Sequence, residues 1–446
     1  MTQDLTQGSI MKNLARFSVP YLIASFLQTF YGLADLFITG QFRGAGTITA
    51  VSVGSQVMHM LTVMIVGLAL GVTVLIGRAV GEKDRRKIGR FAGSAGVLFL
   101  ALSLILTVVL LLCVDGIVAL LRTPPEAEAG AKAYLQVCFM GLPAILFFNL
   151  LSGIFRGLGD TRSPMIFVAC AGVVNIGLDY LLIGPFDMGA WGAAFATVLA
   201  QVLSVALAAL VLWRRRADLG MERRDLRVDL PIIGQLLKVG LPIMVQEGII
   251  QVSFLIITMI ANGRGVEIAA AVGIVEKIIG FLFLVPSAMM SSVSAITAQN
   301  AGAGRHDRGL ATLKTAMLVC QMAALFFILV SEFWAPGILG LFTRDAAVIR
   351  LGSQYLRTYV LDCAAASIHF CFSGYFTAYG RSLYSFAHNV ISALTVRIPG
   401  AWLAAVYWPA TLYAMGIAAP LGSVLSDLIC LGLYMHGRPV WRGEKK

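Results

Sequence analysis

The stretch Ser152-Gly153-Ile154-Phe155-Arg156-Gly157-Leu158-Gly159 has a counterpart 221 residues later, Ser373-Gly374-Tyr375-Phe376-Thr377-Ala378-Tyr379-Gly380. At the same offset Gly81 falls on Gly302, and Ala50-Val51 on Ala271-Val272. Pro20 and Pro242 stand one residue outside that register. Several matches in one register mark an internal repeat, so the chain reads as two copies of one architecture.

Both copies are apolar almost throughout. The 446 residues are 58% hydrophobic and 13% charged, against about 25% charge in a typical soluble domain. Mean hydropathy is +0.84. Disordered, collagenous and disulfide-scaffold classes are excluded by this balance, and an integral membrane protein is expected.

A membrane span needs about 20 apolar residues. Such runs lie near 15–40, 47–79, 91–113, 131–155, 163–184, 189–213, 238–262, 267–300, 310–335, 353–379, 383–408 and 411–436. The first is too long for the apolar core of a signal peptide, about 7–15 residues, and reads as a span. Six spans per copy insert both halves in the same sense, a parallel repeat about an axis along the membrane normal. The expected fold is all-α: a polytopic membrane protein of twelve transmembrane helices in two pseudo-symmetric six-helix bundles. Residues 1–213 form one bundle and 231–446 the other, joined by the charged linker 214–230 on the cytoplasmic side.

The net charge of +11 has a topological explanation. With the N-terminus inside, Lys and Arg in inner loops outnumber those in outer loops more than threefold, as the positive-inside rule requires. Both termini are therefore expected in the cytoplasm and no nucleic-acid partner is implied. The cysteines at 113, 138, 170, 320, 363, 371 and 430 sit in or beside apolar runs without C-x-x-C spacing, as small hydrophobes do. No phosphate loop, membrane-transferase motif or metalloprotease motif occurs, so no enzyme is expected.

Ionisable residues inside spans are costly and point to function. Asp35 follows Tyr31 by four residues in the first span, and Asp179 follows Asn175 by four in the fifth, which puts each pair on one helix face. Asn149 and Thr197 add neutral oxygens from the fourth and sixth spans. Two carboxylates with such neighbours suit either Na⁺ coordination, at Asp35, Asp179 and Asn175, or a shared proton. Each carboxylate also lies five residues before a glycine at an outer span end, Gly40 or Gly184, where plain solvation is the alternative. In the second half Glu247, Glu276 and Lys277 are candidates for cavity or coupling roles. Adjacent helical residues do not face each other, so Glu276 and Lys277 need separate partners. Arg397, Asp427, His369 and His388 also lie in spans, the histidines reading as hydrogen-bonded structural groups.

These residues resemble the multidrug and toxic compound extrusion (MATE) family over nearly the whole chain. The resemblance rests on Pro20 with Asp35-Leu36-Phe37-Ile38-Thr39-Gly40, and on Gly81-Glu82-Lys83-Asp84. It continues in Arg156-Gly157-Leu158-Gly159-Asp160-Thr161-Arg162-Ser163-Pro164-Met165, and in Asn175 and Asp179 with Leu181-Leu182-Ile183. Trp191-Gly192-Ala193-Ala194 and Ala298-Gln299-Asn300-Ala301-Gly302-Ala303-Gly304 complete it. It implies a monomeric antiporter of the cell membrane that exports organic, often cationic and amphipathic compounds in exchange for H⁺ or Na⁺ by alternating access, with no cofactor. The DinF-like branch, more than the NorM-like one, implies a cation site in the N-terminal bundle, by matching positions Asp35, Asn149, Asn175, Asp179 and Thr197. Glu247 stands about a turn before the position of a C-terminal carboxylate pair, and the tenth-span position near Ala366 is not acidic. A flippase for lipid-linked precursors, in the related superfamily, is the alternative.

Overall fold

The computed structural model describes residues 4–217, 219–220, 222 and 225–441. They form helices α1 (Ile10–Phe42), α2 (Ala45–Gly81), α3 (Arg85–Leu120), α4 (Pro125–Met140), α5 (Leu142–Gly157), α6 (Arg162–Ile183), α7 (Gly189–Arg214) and α8 (Leu230–Asn262). Then follow α9 (Val266–Leu282), α10 (Leu284–Gly302), α11 (His306–Gly340), α12 (Ala346–Tyr359), α13 (Asp362–Ala378), α14 (Ser382–Ser392), α15 (Ile398–Tyr407), α16 (Tyr413–His436) and α17 (Arg438–Trp441). A π-helical turn, Ala393–Arg397, joins α14 to α15. No strand occurs among the described residues.

Each of the twelve expected spans is one helix or a broken pair. Among the described residues ten segments are long and apolar enough to cross a membrane, and α4 with α5, bent by 49°, makes an eleventh if the pair is one span. The pair α12–α13 is less apolar because Arg350 and Arg357 lie in α12. The α4–α5 break falls at Gly141, two residues before Pro143, whose ring cannot sit inside a continuous helix without displacing a carbonyl. A Cβ on Gly141 would stand 2.4 Å from Cγ2 of Val198, so the break is also packed tightly against α7.

The repeat extends to backbone geometry. Gly159 and Gly380, 221 residues apart, both adopt left-handed φ, +83° and +72°. In each case the next amide closes onto a helix carbonyl at 2.9 Å, Asp160 to Phe155 and Arg381 to Phe376. Lys83 and Gly304 form a second such pair, at φ 58° and 70°. Glycine suits this helix-ending conformation, which disfavours side chains; Lys83 tolerates it in the first half.

The chain divides into two compact units. The first is built from residues 19–244. Its core includes Val51, Val72, Ile76, Leu135, Phe139, Leu146 and Phe155. Small residues let its helices touch: Thr73 donates to the Gly153 carbonyl at 3.0 Å, and a Cβ on Gly153 would lie 2.9 Å from the Ala69 carbonyl oxygen. Lipid supplies no hydrophobic force between helices, so close packing of this kind holds the bundle.

The second unit combines residues 5–18 with those described from 245 onward. One core cluster includes Val272, Val275, Tyr355 and Tyr359, another Phe17, Val293, Tyr375, Phe376 and Trp441. The polar segment before α1 is tied down here. Leu5 donates its amide to Gln299 Oε1 at 3.1 Å and accepts from Asn300 Nδ2 at 3.3 Å. Arg305 donates to the Thr6 carbonyl at 2.6 Å, and Arg308 to that of Gly8 at 3.0 Å.

The described part of the segment between α7 and α8 is docked on α3. Asp225, 3% exposed, pairs with Arg86 at 3.0 Å, and Asp229 pairs with Arg90 at 2.8 Å. Asp218, Met221, Arg223 and Arg224 of the linker lie outside the described residues, as do Arg442, Lys445 and Lys446. One loop cation is placed differently from the sequence reading. Arg156 belongs to the last turn of α5, which runs two residues past the expected span end at 155, and is 7% exposed.

Candidate functional site

Helices α1, α6 and α7 bring Asp35, Asp179 and Thr197 together in the first unit. Asp35 and Asp179 are 4% and 0% exposed, and their carboxyl groups lie within hydrogen-bonding reach of one another. The Thr197 hydroxyl is 3.4 Å from Asp35 Oδ2 and 3.0 Å from the Ala193 carbonyl oxygen. The Thr39 hydroxyl donates to the Asp35 carbonyl at 2.7 Å.

Asp35 Oδ1 and both Asp179 oxygens have no donor among the described residues. Asn175, one turn before Asp179 and 1% exposed, leaves both amide atoms unpaired. Buried polar atoms without partners are rare in native structures, and each calls for an explanation such as an ion or strain. A proton shared by the carboxyls, or a cation among their oxygens, would satisfy this cluster.

Asn149, the candidate of the fourth expected span, lies on α5. Its Nδ2 donates to the Ile145 carbonyl at 2.9 Å, and its side chain lines a cavity with Arg156 and Tyr21. Tyr31 is a hydrogen-bonding neighbour of Gln201 within electrostatic range of Asp35. Sequence reasoning missed Tyr134, an electrostatic neighbour of both carboxylates, whose hydroxyl lies 3.1 Å from Ser55 Oγ. The signal for it was Gly54, next to Ser55: a Cβ there would fall 2.2 Å from Tyr134 Cδ1.

In the second unit Glu276 Oε2 accepts from Thr258 at 3.0 Å, while Oε1 has no partner. Lys277 is exposed, so the two neighbours do point apart. Glu247 accepts from Gln246 Nε2 at 3.4 Å, and Gln246 Oε1 accepts from Ser385 at 2.8 Å. Sequence reasoning also missed Asp362, one turn before Ala366. It is 0% exposed and 2.9 Å from Arg397 Nη2, which the π-helical turn carries. His369 and His388 bond Ser423 at 3.3 Å and Ser373 at 2.9 Å, their rings 5.4 Å apart. Their bonds to serines fit the structural reading.

The MatE family model matches the chain twice, at residues 20–181 and 242–403. The two stretches begin at Pro20 and Pro242, the prolines that flank the repeat register. The chain belongs to the MATE family of multidrug efflux transporters. Transporters of this family are not enzymes, consistent with the absence of catalytic motifs. Among its relatives is the probable multidrug resistance protein YpnP of Bacillus subtilis (strain 168), 25% identical over 448 residues, covering 99% of this chain and 98% of the relative. The multidrug export protein MepA of Staphylococcus saprophyticus is also 25% identical, over 84% of this chain and 83% of MepA. The fold matches a solved MOP-superfamily transporter from Pyrococcus furiosus with a TM-score of 0.91 at 23% identity, covering 98% of each chain. Among the described residues of the first unit, Asp35, Asp179 and Asn175 together carry five unpaired buried polar atoms.

Proposed function

We propose that this MATE protein is a secondary antiporter that exports organic, often cationic and amphipathic compounds in exchange for H⁺ or Na⁺. Asp35 and Asp179 form the coupling centre, with Thr197 positioning Asp35 and Asn175 supplying a further oxygen. The observation that carries this reading is the buried carboxyl pair with three oxygens lacking donors. A pair that needs a cation to be satisfied changes its energy on ion binding, and only such a differential drives one conformation over another. Each charge moved across the membrane potential supplies about 2.3 kcal/mol per 100 mV. The N-terminal location of the pair favours the DinF-like branch. In this reading the protein works as a monomer in the cell membrane by alternating access. Both termini are cytoplasmic, and no cofactor beyond the ion is needed.

The test is efflux of a cationic dye from proteoliposomes, with a pH gradient and a Na⁺ gradient imposed separately. Wild type is compared with Asp35→Asn and Asp179→Asn. Dye movement driven by one gradient and lost in both variants supports the assignment; full coupling in both variants moves the site elsewhere.

A further inference from the structure

The first unit holds a second unsatisfied group, of opposite sign to the carboxyl pair. Arg156 is 7% exposed, yet makes no ion pair with any described residue. Its guanidinium lies over the Tyr21 ring, 5.5 Å from the centroid. Its Nε and Nη2 have no acceptor. These two nitrogens share one edge of the planar guanidinium, the edge whose two parallel N–H groups match the two oxygens of a carboxylate or phosphate.

Arg156 lines a cavity of about 60 Å³ together with Ser25, Gln28, Asn149, Ser152 and Thr161. No Asp or Glu lines it. Ser152, one turn before Arg156 and so on the same face of α5, has a buried Oγ without a partner. The acid nearest in sequence, Asp160, is engaged elsewhere. It takes Arg215 at 3.1 Å and the Ser163 amide and hydroxyl at 3.0 and 2.7 Å. The helix carrying the fork is also fixed: Gly153 and Gly157 bring α5 against α2, where a Cβ on Gly157 would lie 2.8 Å from Ile76 Cβ. A rigidly held guanidinium without an ion-pair partner among the described residues, in a neutral polar cavity, is the donor of an oxyanion site.

We propose that the Arg156 cavity binds one oxyanion, a carboxylate or phosphate group, held by the Arg156 guanidinium, with Ser152 in the cavity lining. The group comes free from solution or is carried on a larger molecule. Its binding does not depend on the coupling role of Asp35 and Asp179, so either assignment can fail alone.

The experiment uses the full chain purified in neutral detergent, with the thermal unfolding midpoint and calorimetric binding as readouts. The probes are inorganic phosphate and acetate, with chloride at equal ionic strength as reference. The lipid source is tested by adding phosphatidic acid or phosphatidylcholine. Phosphate or acetate raises the midpoint of wild type in a saturable way, and Arg156→Gln loses at least tenfold in affinity. Ser152→Ala, which leaves the guanidinium in place, loses affinity by a smaller factor and serves if the Arg156 variant does not fold. A response to phosphatidic acid alone, lost in the same variants, assigns the site to a lipid headgroup. A wild-type midpoint that no anion moves beyond chloride overturns the proposal and leaves the cavity to water.

Discussion

A Cβ built on Gly54 would lie 2.2 Å from Cδ1 of Tyr134 and within 2.9 Å of two further ring atoms. The ring therefore occupies the space any side chain at 54 would need. That position also sets the Tyr134 hydroxyl against Ser55 Oγ, beside the two carboxylates. Gly54→Ala must push the ring away, and overpacking of this kind costs about 1–3 kcal/mol. The expected outcome is a lower thermal midpoint in detergent together with weakened ion coupling. Tyr134→Phe, which keeps the ring, should retain the midpoint.

Thr197→Val removes the hydroxyl near Asp35 while keeping shape. A buried acceptor left without its donor costs about 1–3 kcal/mol, and 1.4 kcal/mol is tenfold in an equilibrium constant. The apparent affinity for the coupling ion is expected to change about tenfold, with a fall in the thermal midpoint no larger than that cost implies. Transport initial rates against ion concentration measure it, and an unchanged ion dependence would remove Thr197 from the site.

The Asp362–Arg397 pair is buried on both sides, with side chains 0% and 12% exposed. Removing one partner strands a charge, at about 3–5 kcal/mol. Arg397→Met alone should therefore destabilise the second unit strongly. Adding Asp362→Leu should recover most of the loss, as an apolar pair can replace a buried ion pair. Thermal midpoints of the two singles and the double variant give the coupling energy directly.

Asp229 lies just outside the membrane helices, and the hydrogen bond from Arg90 holds its carboxyl below the usual carboxylate range. A carboxyl with a depressed folded value stabilises the docked linker above its ordinary titration range, about pH 4. That contribution is lost as pH falls through the lowered value. Hydrogen-exchange protection of 225–229, corrected for intrinsic rates, should drop as pH falls below the ordinary carboxylate value, about pH 4. Asp229→Asn should be less protected at neutral pH and show no such drop.

The helical layout was legible because 20-residue apolar runs are a strong signal, and the repeat register was legible because it falls on helix ends where backbone geometry favours glycine. The breaks were less so. Hydropathy is blind to a bend at Gly141, and a helix such as α12, with Arg350 and Arg357, hides its start. At the candidate site Asp35 and Asp179 stood out because carboxylates in apolar runs are rare. Tyr134, Ser55 and Gln201 did not, since aromatic and neutral polar residues are common in spans and only three-dimensional proximity selects them. Asp362 escaped notice because it opens α13, beside a helix break. Arg156 was read as a loop cation because it precedes a glycine-rich turn.

The bond between the Leu5 amide and Gln299 links residues 294 apart in sequence. Residues 5–8 leave the ribosome early, while the side chains that hold them belong to α10, the loop after it and the start of α11. At about 5–20 residues per second, the anchoring residues follow some 15–60 s later. During that interval the segment lacks its partners on α10, the following loop and α11, and α1 must enter the bilayer without those contacts at its N-terminal end. The beginning of this chain is thus among the last parts of it to be seated, and synthesis that stalls before residue 299 leaves it loose.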